Sequence, residues 1–118
     1  MAIPVSRVIL YVKDVEKVSA FYQRHFGMTR LPGGGVGWVE LSGGKRGCNI
    51  ALHKAASSQK SGAAVKIVFG IANIKTFKAE READGLSFGP IHEFDEFAFA
   101  NAKDPAGNSI QISSRGVR

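Results

Sequence analysis

The chain has 118 residues, 44% hydrophobic and 22% charged, enough for one compact domain folding around its own core. No apolar run approaches the length of a membrane span, and a single cysteine, Cys48, excludes an internal disulfide and a cysteine-built metal cluster. The net charge of +6 is scattered over Lys45 and Arg46, Lys75, Lys78 and Arg81, and Arg115 and Arg118, so no basic stripe interleaved with aromatics marks a nucleic-acid surface.

The opening "MAIPVSRVIL" has no basic region before its first apolar residues and no separate cleavage site, so it does not read as a signal peptide. With Cys48 read as a small apolar strand residue, a reducing cytoplasm is the expected compartment. From Arg7 the chain alternates. Val8, Leu10 and Val12 share one side of a strand and Arg7, Ile9 and Tyr11 the other. Asp14 is placed as an N-cap, Val15, Val18, Phe21, Tyr22 and Phe26 follow helical spacing, and Gly27 stands as the C-cap. His25, late in that helix, reads as a solvent-facing residue or a partner of the helix C-terminus. Two strands are expected around residues 28–31 and 36–41, joined by "PGGG". That glycine run lacks the Lys and helix of a phosphate loop and reads as a tight turn. In "GCNIALHK", Ile50 and Leu52 oppose Asn49, Ala51 and His53.

A polar linker, "KAASSQKSG", precedes a second half of the same pattern. Ile67, Phe69 and Ile71 oppose Lys66, Val68 and Gly70, Asn73 caps a helix beginning with Ile74 and Phe77, and Gly85 closes it. Strands are expected around residues 87–93 and 97–103. His92 reads as an edge-strand or loop residue, Glu93, Asp95 and Glu96 as a solvated loop, and Phe94, Phe97 and Phe99 as packing against one another. Asp104-Pro105-Ala106-Gly107-Asn108 is a hairpin turn with Pro105 at its first central position and Gly107 at positive φ. In the last strand Ile110 and Ile112 oppose Ser109, Gln111 and Ser113.

The two halves repeat one another. "RVILYVKDVEKVSAFY" matches "KIVFGIANIKTFKAER" in pattern, and "GCNIALHK" lies over "GNSIQISS". The order is β-α-β-β-β twice, an α+β domain over residues 1–118 made of modules at about 1–56 and 62–118. The aliphatic strand faces pack on the helices. The mixed faces, joined by Trp38 and Glu40, are left to line a concave surface.

With "VILYVKDVEKVSAFYQRHFGM" and "DPAGNSIQI", the chain resembles the vicinal oxygen chelate superfamily of glyoxalase I, bleomycin resistance proteins and extradiol dioxygenases. The resemblance implies two βαβββ modules forming a curved mixed sheet around a cleft, and pairing into a homodimer. It also implies metal-ligand positions on the first and last strand of each module, held by His, Glu or Gln in metal-dependent members. Here those positions carry Arg7, Ala51, Lys66 and Gln111. Arg has no lone pair to offer, Ala has no donor atom, and Lys must first lose a proton, so no metal or other cofactor is expected.

Three readings stand open. In one, the chain binds a small anionic organic molecule in its cleft, with Arg7 and Lys66 on the anion, Gln111, Ser113 and Tyr11 orienting it, and Trp38 and Phe99 as apolar wall. In another it is a lyase, isomerase or dioxygenase, either metal-dependent through His53, Glu40 and Gln111 or metal-free with His53 as base. In the third, Arg7 pairs with Glu40 and the cleft is empty.

Overall fold

A computed structural model of the chain describes residues 7–57, 65–115 and 117. The opening residues before Arg7 and most of the polar linker lie outside them. By its internal contacts the chain divides into two compact units, Met1–Gly62 and Ala63–Arg118.

Unit 1 contains β1 (Arg7–Val12), α1 (Val15–Phe26), β2 (Thr29–Arg30), β3 (Trp38–Ser42) and β4 (Asn49–Lys54). These strands form a four-stranded mixed sheet in the order β1-β4-β3-β2, with β1 parallel to β4 and the other neighbours antiparallel. Unit 2 repeats this with β5 (Lys66–Gly70), α2 (Ile74–Ala83), β6 (His92–Glu93), β7 (Ala98–Lys103) and β8 (Ser109–Ser113), in the order β5-β8-β7-β6. The βαβββ order read from the sequence is thus present in both halves, and each half builds its own sheet.

The helices begin where short polar side chains compete for free backbone donors. Asp14 accepts from the Lys17 N–H at 3.0 Å and Asn73 from the Thr76 N–H at 3.1 Å. Gly27 ends α1 in the left-handed region at φ 65°, where a side chain would be strained. The apolar stripe of α1 is only half buried: Val18 and Tyr22 are covered, with Ser19 beside them, while Val15, Phe21 and Phe26 keep partial exposure. In unit 1, Leu10, Val12, Val39, Leu41, Ile50 and Leu52 fill the helix side of the sheet. In unit 2 the core is smaller, with Ile74, Leu86, Phe88, Ala100, Ile110 and Ile112.

The 104–108 turn forms as read from the sequence. Gly107 N–H donates to the Asp104 carbonyl at 3.0 Å, Asp104 N–H to the Asn108 carbonyl at 2.9 Å, and Gly107 has φ 86°. The Asp104 carboxylate sits inside this turn, 4% exposed, accepting from the Ala106 and Asn108 N–H groups and the Asn108 side chain. It sets the register that places Lys103 opposite Ser109 and Asn101 opposite Gln111.

Candidate functional site

The side of each sheet turned away from its core carries the polar and aromatic residues singled out from the sequence. In unit 1 the register builds them into rows across β1, β4 and β3. Arg7 stands beside Asn49, Ile9 beside Ala51 and then Glu40, and Tyr11 beside His53 and then Trp38. Arg7 reaches over β4 so that its Nε donates to Glu40 Oε2 at 3.0 Å, and the Asn49 amide donates to the same oxygen at 2.9 Å. The Asn49 hydrogen bond, followed by that from Arg7, holds the Glu40 carboxyl below the usual carboxylate range against the opposing effect of its burial. Arg7 and Glu40 therefore form a neutral pair, which realises the third reading for this residue. The two terminal nitrogens of the guanidinium have no bond among the described residues.

Beside this pair lies an aromatic row. The His53 ring is 5.3 Å from Tyr11 and 6.0 Å from Trp38, the latter edge to face. His53 Nδ1 lies 2.9 Å from the Lys54 carbonyl, which can only accept. In a neutral ring this contact places the proton on Nδ1 and the lone pair on Nε2. Trp38 is seated by the glycine loop: a Cβ on Gly34, at φ 95°, would lie 2.3 Å from the indole Cδ1. The glycine there permits close approach of backbone to ring, a role beyond the turning read from the sequence. Trp38 also lines an open recess of about 530 Å³ together with Lys13, Glu16, Arg30 and Lys54.

Unit 2 carries a different chemistry on the corresponding face. Asn101 Oδ1 accepts from Gln111 Nε2 at 3.0 Å and from Lys66 Nζ at 3.3 Å. Gln111, mid-strand and half-buried, is thereby held by Asn101, with its amide oxygen left as an acceptor. Lys103, which sequence reasoning left as the end of a strand, donates to Ser109 Oγ at 2.9 Å. Ser113 is 6% exposed and its Oγ accepts from the Arg115 N–H, which leaves its hydroxyl proton and one lone pair. Phe99 belongs to a stack. Its ring lies 4.9 Å from His92 and 6.0 Å from Phe94, Phe94 and Phe97 are 4.9 Å apart, and Arg115 covers Phe97 at 4.5 Å. The three phenylalanines pack on one another as expected, and His92 joins them from its edge strand.

The residues at the metal positions implied by the resemblance do not fit a metal. In unit 1, Arg7 is a donor tied to Glu40 and Ala51 is a fully buried methyl group. In unit 2, Lys66 donates to Asn101, and Gln111 offers one neutral oxygen. Among the described residues no three His, Cys, Asp or Glu side chains come together, and Glu40 already holds two donors.

A model of the glyoxalase/bleomycin resistance protein/dioxygenase superfamily matches residues 5–112. Among solved structures, the chain is similar to TnmS3, an antibiotic binding protein from Streptomyces sp. CB03234, at 21% identity and a TM-score of 0.79, covering 95% of this chain and 96% of that one. It is also similar to a lactoylglutathione lyase from Agrobacterium tumefaciens, at 18% identity and a TM-score of 0.77, with 96% and 94% covered. A glyoxalase/bleomycin resistance protein from Streptomyces sp. CB03234 aligns at 18% identity with a TM-score of 0.73, over 92% and 98% of the two chains. At these identities the likeness shows the fold. None of the curated proteins compared with the chain matches it. Among the described residues no helix is long and apolar enough to cross a membrane.

Proposed function

The chain belongs to the glyoxalase/bleomycin resistance protein/dioxygenase superfamily, and from that premise we propose that it binds a small anionic organic molecule without a catalytic metal. The fold is shared with an antibiotic binding protein and with a lyase, so membership alone does not choose between binding and catalysis. The residues favour binding. The observation that carries the reading is the chemistry of Arg7, Ala51, Lys66 and Gln111, two cations, a methyl and a neutral amide where metal-dependent relatives hold ligands. Arg7 is a donor already tied to a carboxylate, and Lys66, with no carboxylate partner among the described residues, repels a divalent cation and attracts an anion.

In this reading Arg7 offers the outer edge of a guanidinium steadied by Glu40, and Lys66 an ammonium bonded to a neutral amide. On unit 1, Tyr11, Trp38 and His53 supply aromatic surface; on unit 2, Phe99 supplies aromatic surface and Gln111 and Ser113 neutral hydrogen bonds. Family membership also supports a two-fold homodimer, in which Ile9 and Val68, 42% and 54% exposed, would lose their contact with water. The test is native mass spectrometry with elemental analysis on protein purified from cells. We expect an organic anion and no stoichiometric metal. Stoichiometric zinc, nickel, manganese or iron overturns the proposal.

A second reading is favoured by one observation, the contact of His53 Nδ1 with the Lys54 carbonyl, which in a neutral ring leaves the lone pair on Nε2. It is a metal-free lyase or isomerase in which Nε2 takes a proton from the substrate. Such an enzyme would turn over a lactoylglutathione-type thioester in the presence of a chelator, and His53→Gln would abolish the activity. Loss of activity to the chelator, with His53→Gln still active, rules it out.

A further inference from the structure

Asn101 in unit 2 is the counterpart of Glu40 in unit 1. Each stands one strand from the centre of the last strand, opposite Gln111 or Ala51, and each accepts the cationic side chain that begins the module. The exchange of a carboxylate for an amide has an electrostatic consequence. Arg7 is neutralised by Glu40, whereas Lys66 donates to an uncharged oxygen and keeps its full charge. A two-residue step along the strand takes Glu40 to Ser42 in unit 1 but Asn101 to Lys103 in unit 2, adding a second ammonium. Lys66 and Lys103 flank Ser109 in one row. Neither lysine has a carboxylate partner among the described residues.

We propose that Lys66, Ser109 and Lys103 form a seat for a dianionic group, a phosphate monoester or inorganic phosphate, on the open face of unit 2. This rests on the reading of the protein as a binder of anionic molecules and names the anion and its place. Neighbouring strands lie about 4.8 Å apart, so the two lysines sit about 10 Å apart at their Cα atoms, and both extended side chains can reach one phosphate above Ser109. Each ammonium uses one N–H on a neutral oxygen and has two left. The Ser109 hydroxyl accepts from Lys103 and so still has its own proton to donate. Four N–H groups and a hydroxyl exceed what a single carboxylate can accept and suit the three terminal oxygens of a phosphate. Two ammonium groups, neither paired with a carboxylate among the described residues, favour a dianion over a monoanion.

The test is calorimetric titration of the whole protein at low ionic strength with phenyl phosphate, inorganic phosphate and benzoate. It is repeated for Lys66→Met, Lys103→Met and Lys45→Met, the last removing an equal charge from an exposed turn. We expect phenyl phosphate to bind more tightly than benzoate, and each of Lys66→Met and Lys103→Met to weaken it about tenfold, as for loss of one charge-assisted hydrogen bond. Lys45→Met should bind as the parent does. Inorganic phosphate binding as tightly as phenyl phosphate identifies the free ion as the occupant; weaker binding identifies the ester. Absence of phosphate binding, benzoate binding as tightly as phenyl phosphate, or equal losses in all three variants overturns the seat. A cell-derived organic anion held equally well by Lys103→Met and the parent sinks the seat and leaves the broader function standing. Phosphate binding lost in Lys103→Met, with no organic ligand ever recovered, does the reverse.

Discussion

Arg7 and Glu40 are joined across the whole width of β4, with the guanidinium Nε 3.0 Å from Oε2 and Asn49 on the intervening strand donating to the same oxygen. The Glu40 side chain is 15% exposed and Arg7 44%, so the pair is partly shielded on the carboxylate side only.

That asymmetry gives a pH dependence with a definite sign. The folded carboxyl is held below its ordinary value, so its contribution to stability is complete above the unfolded value and fades as pH falls through the folded one. The unfolded value is about 4.3, and a partly exposed pair of this kind is worth about 0.5–1 kcal/mol. Glu40→Gln should therefore lower stability by about that amount near neutrality, while the difference from the parent shrinks below about pH 4. Urea unfolding across this range checks it. A constant difference at every pH would refute the assignment.

Gly34 is expected to tolerate no side chain. Gly34→Ala places a Cβ into the Trp38 indole at a backbone φ that disfavours it, at a cost of about 1–3 kcal/mol. The chain has one tryptophan, so its fluorescence and near-ultraviolet dichroism report this site directly. Both should change in Gly34→Ala and stay as in the parent for Gly33→Ala, where a Cβ meets nothing, though that variant is also strained in its backbone.

The carboxylate inside the 104–108 turn should be costly to remove. Asp104→Ala leaves the N–H groups of Ala106 and Asn108 and the Asn108 amide without their acceptor, in a turn whose two ends are buried. Loss of about 2–3 kcal/mol is expected from denaturant unfolding, on the scale of hydrogen bonds to a charged group. A loss below about 0.5 kcal/mol, the range of ordinary surface substitutions, would show that the turn holds without it.

Association can be read from light scattering. The proposed homodimer should give twice the mass of the chain at micromolar concentration, and Val68→Lys, placing a charge on an exposed apolar strand position, should shift it toward monomer. Monomer alone in the parent would exclude the dimer.

Much of this fold was legible because strand and helix periods act locally. The alternation in "VILYV" and "SIQIS" assigned Leu10, Val12, Ile110 and Ile112 to the core, where they are buried, and Asp14 and Asn73 announced both helices. The side chains that matter chemically were less legible, because a partner across a sheet depends on register. Asn49 and Asn101 looked like ordinary strand residues until β4 and β8 were aligned with their neighbours. Lys103, next to "DPAGN", stood as the end of a strand with no role assigned to it. The one signal available was the internal repeat: laying residues 97–103 over 36–42 puts Lys103 on Ser42 and Asn101 on Glu40. The packing of Phe94, Phe97 and Phe99 was expected, but the parallel stacking of their rings was not legible, since it depends on a hairpin in which Phe94 N–H donates to the Phe97 carbonyl.

The parallel pairing of the first strand of each unit with its last strand also sets an order of events in folding. The three consecutive strands β2, β3 and β4 can form from neighbouring segments, but β1 waits for the whole module, since Arg7 meets Asn49 only after everything between them has been made. Lys66 and Ser109 stand in the same relation. Closing such a span is entropically slower than zipping a hairpin, so the docking of β1 and of β5 should be the late, rate-limiting steps. On the ribosome, the first unit can close its sheet while the second is still being synthesised, and the second completes only as the C-terminal strand emerges.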